Sequence, residues 1–195
     1  DGNPGTVEKR GTGKLTLTGD SISAVDEITY IVTEGTLVVN GDIRTTAGGN
    51  VTVTNGTLKG TGATGAVTMN GGTLAPGNSP GTLNTTALTL ASGSVFQQEI
   101  AGNTAGTQYD QVIATGAVNL GNATLSVLLS TTPADGTMFT IVSAGSVSGT
   151  FNGLPNGSTI TVNGVQFRVN YTATTVTLTK ITGSSTTTTS NSLPN

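Results

Sequence analysis

Two apolar residues spaced two apart, followed five residues later by a third, recur through the first two thirds of the chain. The series runs Leu15-x-Leu17 then Ile22, Tyr30-x-Val32 then Leu37, Val51-x-Val53 then Leu58, Val67-x-Met69 then Leu74, Leu88-x-Leu90 then Val95, and Val118-x-Leu120 then Leu125. Two-residue spacing puts both side chains of a pair on one face of a strand. Most copies carry Gly or Asn before the third residue, as in Thr54-Asn55-Gly56, Asn70-Gly71-Gly72 and Ser92-Gly93. Such residues turn a chain tightly, so a second short strand can send its apolar residue toward the same interior. One unit cannot bury that face alone; the units must stack as coils. From Leu17 the steps to Val32, Val53, Met69, Leu90 and Leu120 are 15, 21, 16, 21 and 30 residues, near the repeat lengths of β-solenoids with corner loops of unequal size.

Composition supports strands over helices. Thr, Val, Gly and Asn fill the windows where Ala, Leu, Glu and Lys would be needed. Charged residues make up 9% and aromatics 4%, and there are 29 Gly; ordinary domains carry about 25% charged residues. Yet the hydrophobic fraction is 34% and regularly placed, which separates the chain from disordered sequences. Its 195 residues suffice for one domain with a core, or a domain plus a small cap. A net charge of −3 with seven scattered basic residues leaves no footprint for nucleic acid or anionic lipid. Cys is absent, so neither disulfides nor thiolate chemistry are expected. Apolar runs of a few residues cannot span a membrane as helices. There is no signal-peptide pattern, and Asp1-Gly2-Asn3-Pro4 reads as a processed or trimmed start.

The last third changes character. Residues 159–171 alternate as Ile160, Val162, Val165, Phe167, Val169 and Tyr171 around Asn163-Gly164, a two-residue hairpin signal that sets Val162 opposite Val165 and Ile160 opposite Phe167. The expected organisation is a solenoid over 1–130, an antiparallel β cap over 131–182 carrying most of the aromatic mass, and a Ser/Thr-rich tail over 183–195. A cap is needed because an open solenoid end exposes unpaired backbone groups.

The stretches "GTGKLTLTGD" and "YIVTEGTLVVNG" within 11–41, and "GTLKGTGATGAVTMNGGTLAPGNSPGTL" at 56–83, followed by "ALTLASGSVFQQEI" and "QYDQVIATGAVNLGNATLSV", resemble the passenger-associated strand repeat of bacterial autotransporters. The resemblance covers residues 11–130 best. It implies a right-handed parallel β-helix displayed outside the cell in a structural or adhesive role. The family's carboxy-terminal membrane barrel is not among these residues, and the chain is short for a passenger.

One motif invites a catalytic reading. Gly77-Asn78-Ser79-Pro80-Gly81 fits the G-x-S-x-G nucleophile elbow. The elbow needs a base, most often His, and the chain has none. It needs the N–H of the residue after the serine, which here is Pro80. It must also lead into a helix, whereas "GTLNTTALTL" reads as strand. Ser79 therefore belongs to a corner, with Leu74 and Leu83 facing inward on either side. Carboxylates that could pair for glycoside cleavage are Asp26, Glu27, Glu34 and Asp42, then Glu99 and Asp110; a solvated acidic loop explains the adjacent Asp26 and Glu27 better. Arg10, Arg44 and Arg168 are too scattered to serve as the base of a lyase. With no His or Cys, only oxygen ligands could hold a metal, and "AGGNVTV" at 47–53 lacks the Asp of a calcium-binding nonapeptide.

Thr16, Thr52, Thr68 and Thr89 alternate with the inward residues, so stacking would align them outside. Such an array could face ice or a crystalline polymer, although Thr is also simply a good exposed strand residue. Asn50, Asn55, Asn84, Asn122, Asn156 and Asn170 stand in N-x-S/T sequons, which so much Asn and Thr produces by chance.

Taken together, the residues describe an all-β parallel β-solenoid with an antiparallel carboxy-terminal cap, and the resemblance implies that it is a right-handed parallel β-helix working at a bacterial surface. The expected role is a non-enzymatic building block of a surface layer or fibre, associating with its own copies through strand edges or termini. An adhesin binding a glycan or host surface is the alternative, and a polysaccharide-degrading enzyme the weakest reading. No catalytic, cofactor or metal residue is assigned.

Overall fold

The computed structural model describes residues 5–20, 27–46 and 48–182. Ile22, Asp26 and the 183–195 tail, singled out in the sequence, lie outside them. The described residues form twenty strands and no helix, in three sheets.

The first sheet takes Gly5–Lys9, Ile28–Val32, Asn50–Val53, Val67–Met69, Leu88–Leu90, Ala117–Asn119 and Ser146–Ser148, all neighbours parallel. A second takes Lys14–Leu17, Thr36–Val39, Thr57–Gly60, Thr73–Pro76, Val95–Ile100 and Thr124–Leu129, again all parallel. The third begins with Ala63–Thr64, Thr82–Thr85, Gln111–Ala114 and Met138–Ser143 in parallel. It ends with Thr175–Ile181, Val165–Tyr171 and Thr159–Val162, which pair antiparallel. Up to Ser146–Ser148 the chain visits the first and second sheets in turn and, from Ala63 on, the third as well, returning each time one strand further along; its last three strands all stay in the third sheet. This parallel, all-β arrangement is compatible with a β-solenoid.

In-register parallel pairing turns the repeat into columns. Tyr30, Val51, Val67, Leu88, Val118 and Val147 form one; Val32, Val53, Met69 and Leu90 form a second. Across the interior, Leu15, Leu37, Leu58, Leu74, Phe96 and Leu125 form a third. Val53, Leu58, Met69, Leu74 and Phe96 are completely buried. Full burial stabilises by about 1.5–3 kcal/mol per side chain of this kind, so the columns are the main source of cohesion.

Four expectations need correction. Leu15 and Leu17 pair with Leu37 and Val39, so they belong to the second sheet; the first-sheet strand of that rung is Gly5–Lys9. In the fifth unit Phe96, not Val95, pairs with Leu74 and is buried. Buried Ser94, whose Oγ donates to the Ala91 carbonyl at 2.6 Å, adds a residue to that turn. The parallel pairing also runs past residue 130: Met138–Ser143 and Ser146–Ser148 continue the third and first sheets. Finally, Thr52, Thr68 and Thr89 do align, but Thr16 stands in the other sheet opposite Val38.

The 30-residue step contains an excursion at 101–110 that closes on itself, Ala101 N–H donating to the Gln108 carbonyl at 2.7 Å. Its Tyr109 ring packs edge-on to Phe139 at 5.2 Å, and Phe139 meets Phe167 at 6.1 Å. Phe96 stacks on Phe151 at 5.5 Å, and Phe151 meets Tyr171 at 6.3 Å. Aromatic contacts thus tie the parallel strands to the antiparallel ones. The 159–171 hairpin has the expected register, Val162 opposite Val165 and Ile160 opposite Phe167. Asn163 and Gly164 take φ of 50° and 80°, the mirror-image turn that an Asn-Gly pair favours.

Candidate functional site: the 77–81 corner and the groove beside it

The corner at 77–81 leaves the second sheet after Pro76 and enters the third at Thr82. Gly77 has φ 85°, and a Cβ there would lie 2.2 Å from the Gly81 nitrogen, so the close approach of the corner's two ends requires glycine. The Gly77 and Gly60 backbones exchange hydrogen bonds at 2.8 and 3.1 Å, which fasten the corner to the neighbouring strand Thr57–Gly60.

Ser79, at φ 98°, donates from Oγ to Glu99 Oε2 at 2.6 Å. A carboxylate thus stands where the sequence offered no His. The remaining elbow requirements are unmet at this corner: Pro80 has no N–H, the Gly81 N–H is committed to Asp110 Oδ1 at 2.8 Å, and the corner leads into the strand Thr82–Thr85.

Of the candidate acids, the fold brings Glu99 and Asp110 together. The Glu99 N–H donates to Asp110 Oδ2 at 2.9 Å, so buried Asp110 ties the corner to the Val95–Ile100 strand. Burial pushes the Asp110 carboxyl up to about 6. The N–H groups of Glu99 and Gly81 resist that rise, the Glu99 charge adds to it, and Lys59 opposes it least. Glu27 and Glu34 are exposed and not part of this cluster. Asp42 pairs with Arg44, whose hydrogen bond holds the Asp42 carboxyl below its ordinary range. Arg10 pairs with Glu8, and Arg168 lies on the 165–171 strand opposite Thr159 and Thr179. Among the described residues no group of three or more His, Cys, Asp or Glu could hold a metal ion. No described helix is long and apolar enough to cross a membrane.

Beside the corner, on the outer face of the second sheet, lies an open groove of about 500 Å³. Val38 is its floor, facing outward yet only 7% exposed. Lys14, Thr16 and Thr36 line one end, and Lys59, Asn40 and Asn78 the other. Asn78 Nδ2 donates to Asn40 Oδ1 at 2.9 Å, and the Thr61 N–H donates to the same oxygen at 3.3 Å. Sequence reasoning missed this groove because Lys14 and Lys59 are remote in the chain; only the in-register pairing Thr16–Val38–Lys59 assembles it.

Neither the family models nor the curated proteins compared with this chain gave a match.

Proposed function

We propose that the chain is a right-handed β-solenoid closed at its far end by an antiparallel cap, and that it works at a bacterial surface as a non-enzymatic structural element. In this reading it joins a second copy edge to edge through its first strands, contributing a terminus to a surface layer or fibre. The resemblance of residues 11–130 to passenger strand repeats points the same way. The observation that carries the proposal is the bare edge shared by the first strands of two sheets; at the far end, among the described residues, only the second sheet, at Thr124–Leu129, stops on a comparable parallel edge. Among the described residues, no strand pairs with the outer edge of Gly5–Lys9 or of Lys14–Leu17. At the other end the last first-sheet strand is covered, the Val147 N–H donating to the Ala173 carbonyl at 2.7 Å, and the third sheet turns antiparallel. An unpaired edge is a template for another strand, whereas a covered one is not.

The alternation of backbone groups gives the test. The Gly5 N–H donates to Glu27 and the Lys9 carbonyl accepts from Thr33, so residues 5, 7 and 9 face the partner strand and Thr6 faces the open side. By the same alternation Gly13 and Leu17 face inward to their neighbour, and Thr16 faces out. Sedimentation over a wide concentration range should show a monomer–dimer equilibrium that Thr6→Pro with Thr16→Pro shifts to monomer, without loss of strand signal by circular dichroism. A monodisperse monomer at every concentration would sink the proposal.

A further inference from the structure

We infer that the groove on the second sheet is a binding site for a linear acidic polysaccharide, one bearing uronate carboxylates along its length. The first ground is charge. Lys14 and Lys59 make no ion pair with any described residue, whereas Arg10, Arg44 and Lys180 are each paired with a carboxylate. In a chain of net charge −3, two ammonium groups without an ion-pair partner share one depression. They lie two strands and two residues apart in register, which at about 4.8 Å per strand and about 3.4 Å per residue separates their backbones by ~12 Å. That span suits charges repeated along an extended polymer better than a single compact anion.

The second ground is the rest of the lining. The Asn78–Asn40 bond fixes both amides, and it leaves Asn40 Nδ2 as a donor and Asn78 Oδ1 as an acceptor. The Thr16 and Thr36 hydroxyls add groups that both donate and accept, matching the hydroxyls of a sugar. Val38 offers a small apolar floor for a sugar's C–H face. There is no aromatic ring in the lining, so recognition rests on charge and hydrogen bonds instead of stacking. The acids seen near the groove leave the lysines available: Lys59 feels buried Asp110 only as the weakest of the influences on that carboxyl, and neither lysine is within ion-pair distance of a described carboxylate.

The experiment uses the full chain and three probes: oligogalacturonate, a neutral maltooligosaccharide of equal length, and oligoglutamate. Oligogalacturonate should shift the backbone amide signals of residues 14–16, 36–40, 59 and 78, and calorimetry should detect binding that weakens as salt is raised. Lys14→Gln and Lys59→Gln should each reduce affinity roughly tenfold, about the 1.4 kcal/mol expected for one charge-assisted contact. Arg168→Gln, outside the groove, should leave it unchanged. Asn78→Ala tests the amide lining without altering charge and should weaken oligogalacturonate several-fold. Three outcomes would overturn the inference: no shifts in the groove, equal loss on Arg168→Gln, or oligoglutamate binding as well as oligogalacturonate. The wild-type shift map decides the matter even if a lysine variant folds poorly.

Discussion

Lys9 stands in register with Val32, at the inward position that Val53, Met69 and Leu90 fill in later strands of the same sheet. The apolar column therefore ends on an ammonium. Lys9 is 8% exposed, and its Nζ donates to the carbonyls of Arg10 at 2.7 Å, Glu34 at 3.2 Å and Gly11. An inward-pointing charge at a sheet's end is one way that proteins discourage indiscriminate stacking. Lys9→Ala should cost ~2 kcal/mol in urea unfolding, the scale of lost hydrogen bonds to a charged group. Lys9→Leu should raise self-association in sedimentation, because it leaves an apolar column open at the end.

The corner at 77–81 makes a sharper stability test. A Cβ on Gly77 would meet the backbone of Gly81, which has no side chain to swing away, and φ is 85°. Gly77→Ala should therefore destabilise by about 3 kcal/mol. Gly153 has φ 67° but nothing within 4 Å of a Cβ, so Gly153→Ala should cost only ~1 kcal/mol. Similar urea midpoints for the two variants would mean that the corner yields to the added methyl.

The apolar repeat reveals the inward columns because alternation and stacking both act on the same residues. Tyr30 to Leu37, Val51 to Leu58 and Val67 to Leu74 fall where the spacing puts them. The first strand misleads because its inward residue is Lys9, which carries no apolar signal, so the Leu15–Leu17 pair of the other sheet is taken in its place. Val95 misleads because the turn before it holds one more residue. The parallel strands of the third sheet are hardest to see: buried Thr64 and Thr85 serve as inward residues there, their hydroxyls satisfied by the carbonyls of Gly65 and Ala87. The proximity of Glu99 and Asp110, and the groove between Lys14 and Lys59, depend on how neighbouring strands and corners meet, which single-strand patterns do not carry.

Phe96 closes the central column between Leu74 and Leu125 and also stacks on Phe151, so it belongs to two packing units at once. Phe96→Ala should cost ~3–5 kcal/mol, the usual range for a fully buried Phe. Leu128→Ala, at a residue 44% exposed, should stay within about 0.5 kcal/mol. Because Tyr109 and Tyr171 sit in the aromatic contacts beyond Phe139 and Phe151, tyrosine fluorescence and far-ultraviolet dichroism should report one coincident transition. Two separated transitions would show that the antiparallel strands unfold independently of the parallel ones.

Asp110 sets a pH dependence opposite to that of the paired carboxylates. Its folded value, about 6, lies above the ordinary 3.8, because burial disfavours the charge. The folded chain therefore holds this proton more tightly than the unfolded chain. The associated stability is fully present below about 3.8 and is lost as pH rises through about 6. A shift of this size corresponds to at most ~3 kcal/mol. Asp42, whose value is lowered by Arg44, acts in the other direction, its contribution present above 3.8 and fading as pH falls below it. Between pH 4 and 7 the wild type should thus lose stability in urea titrations, and Asp110→Asn should flatten that slope. Asn can offer only one carbonyl oxygen to the Gly81 and Glu99 N–H groups, so the variant should also be less stable at pH 4. Carbon-13 detection of the Asp110 carboxyl, with a midpoint near 6, is the direct measurement; a midpoint at the ordinary value would show that water reaches the corner and that burial does not govern this group.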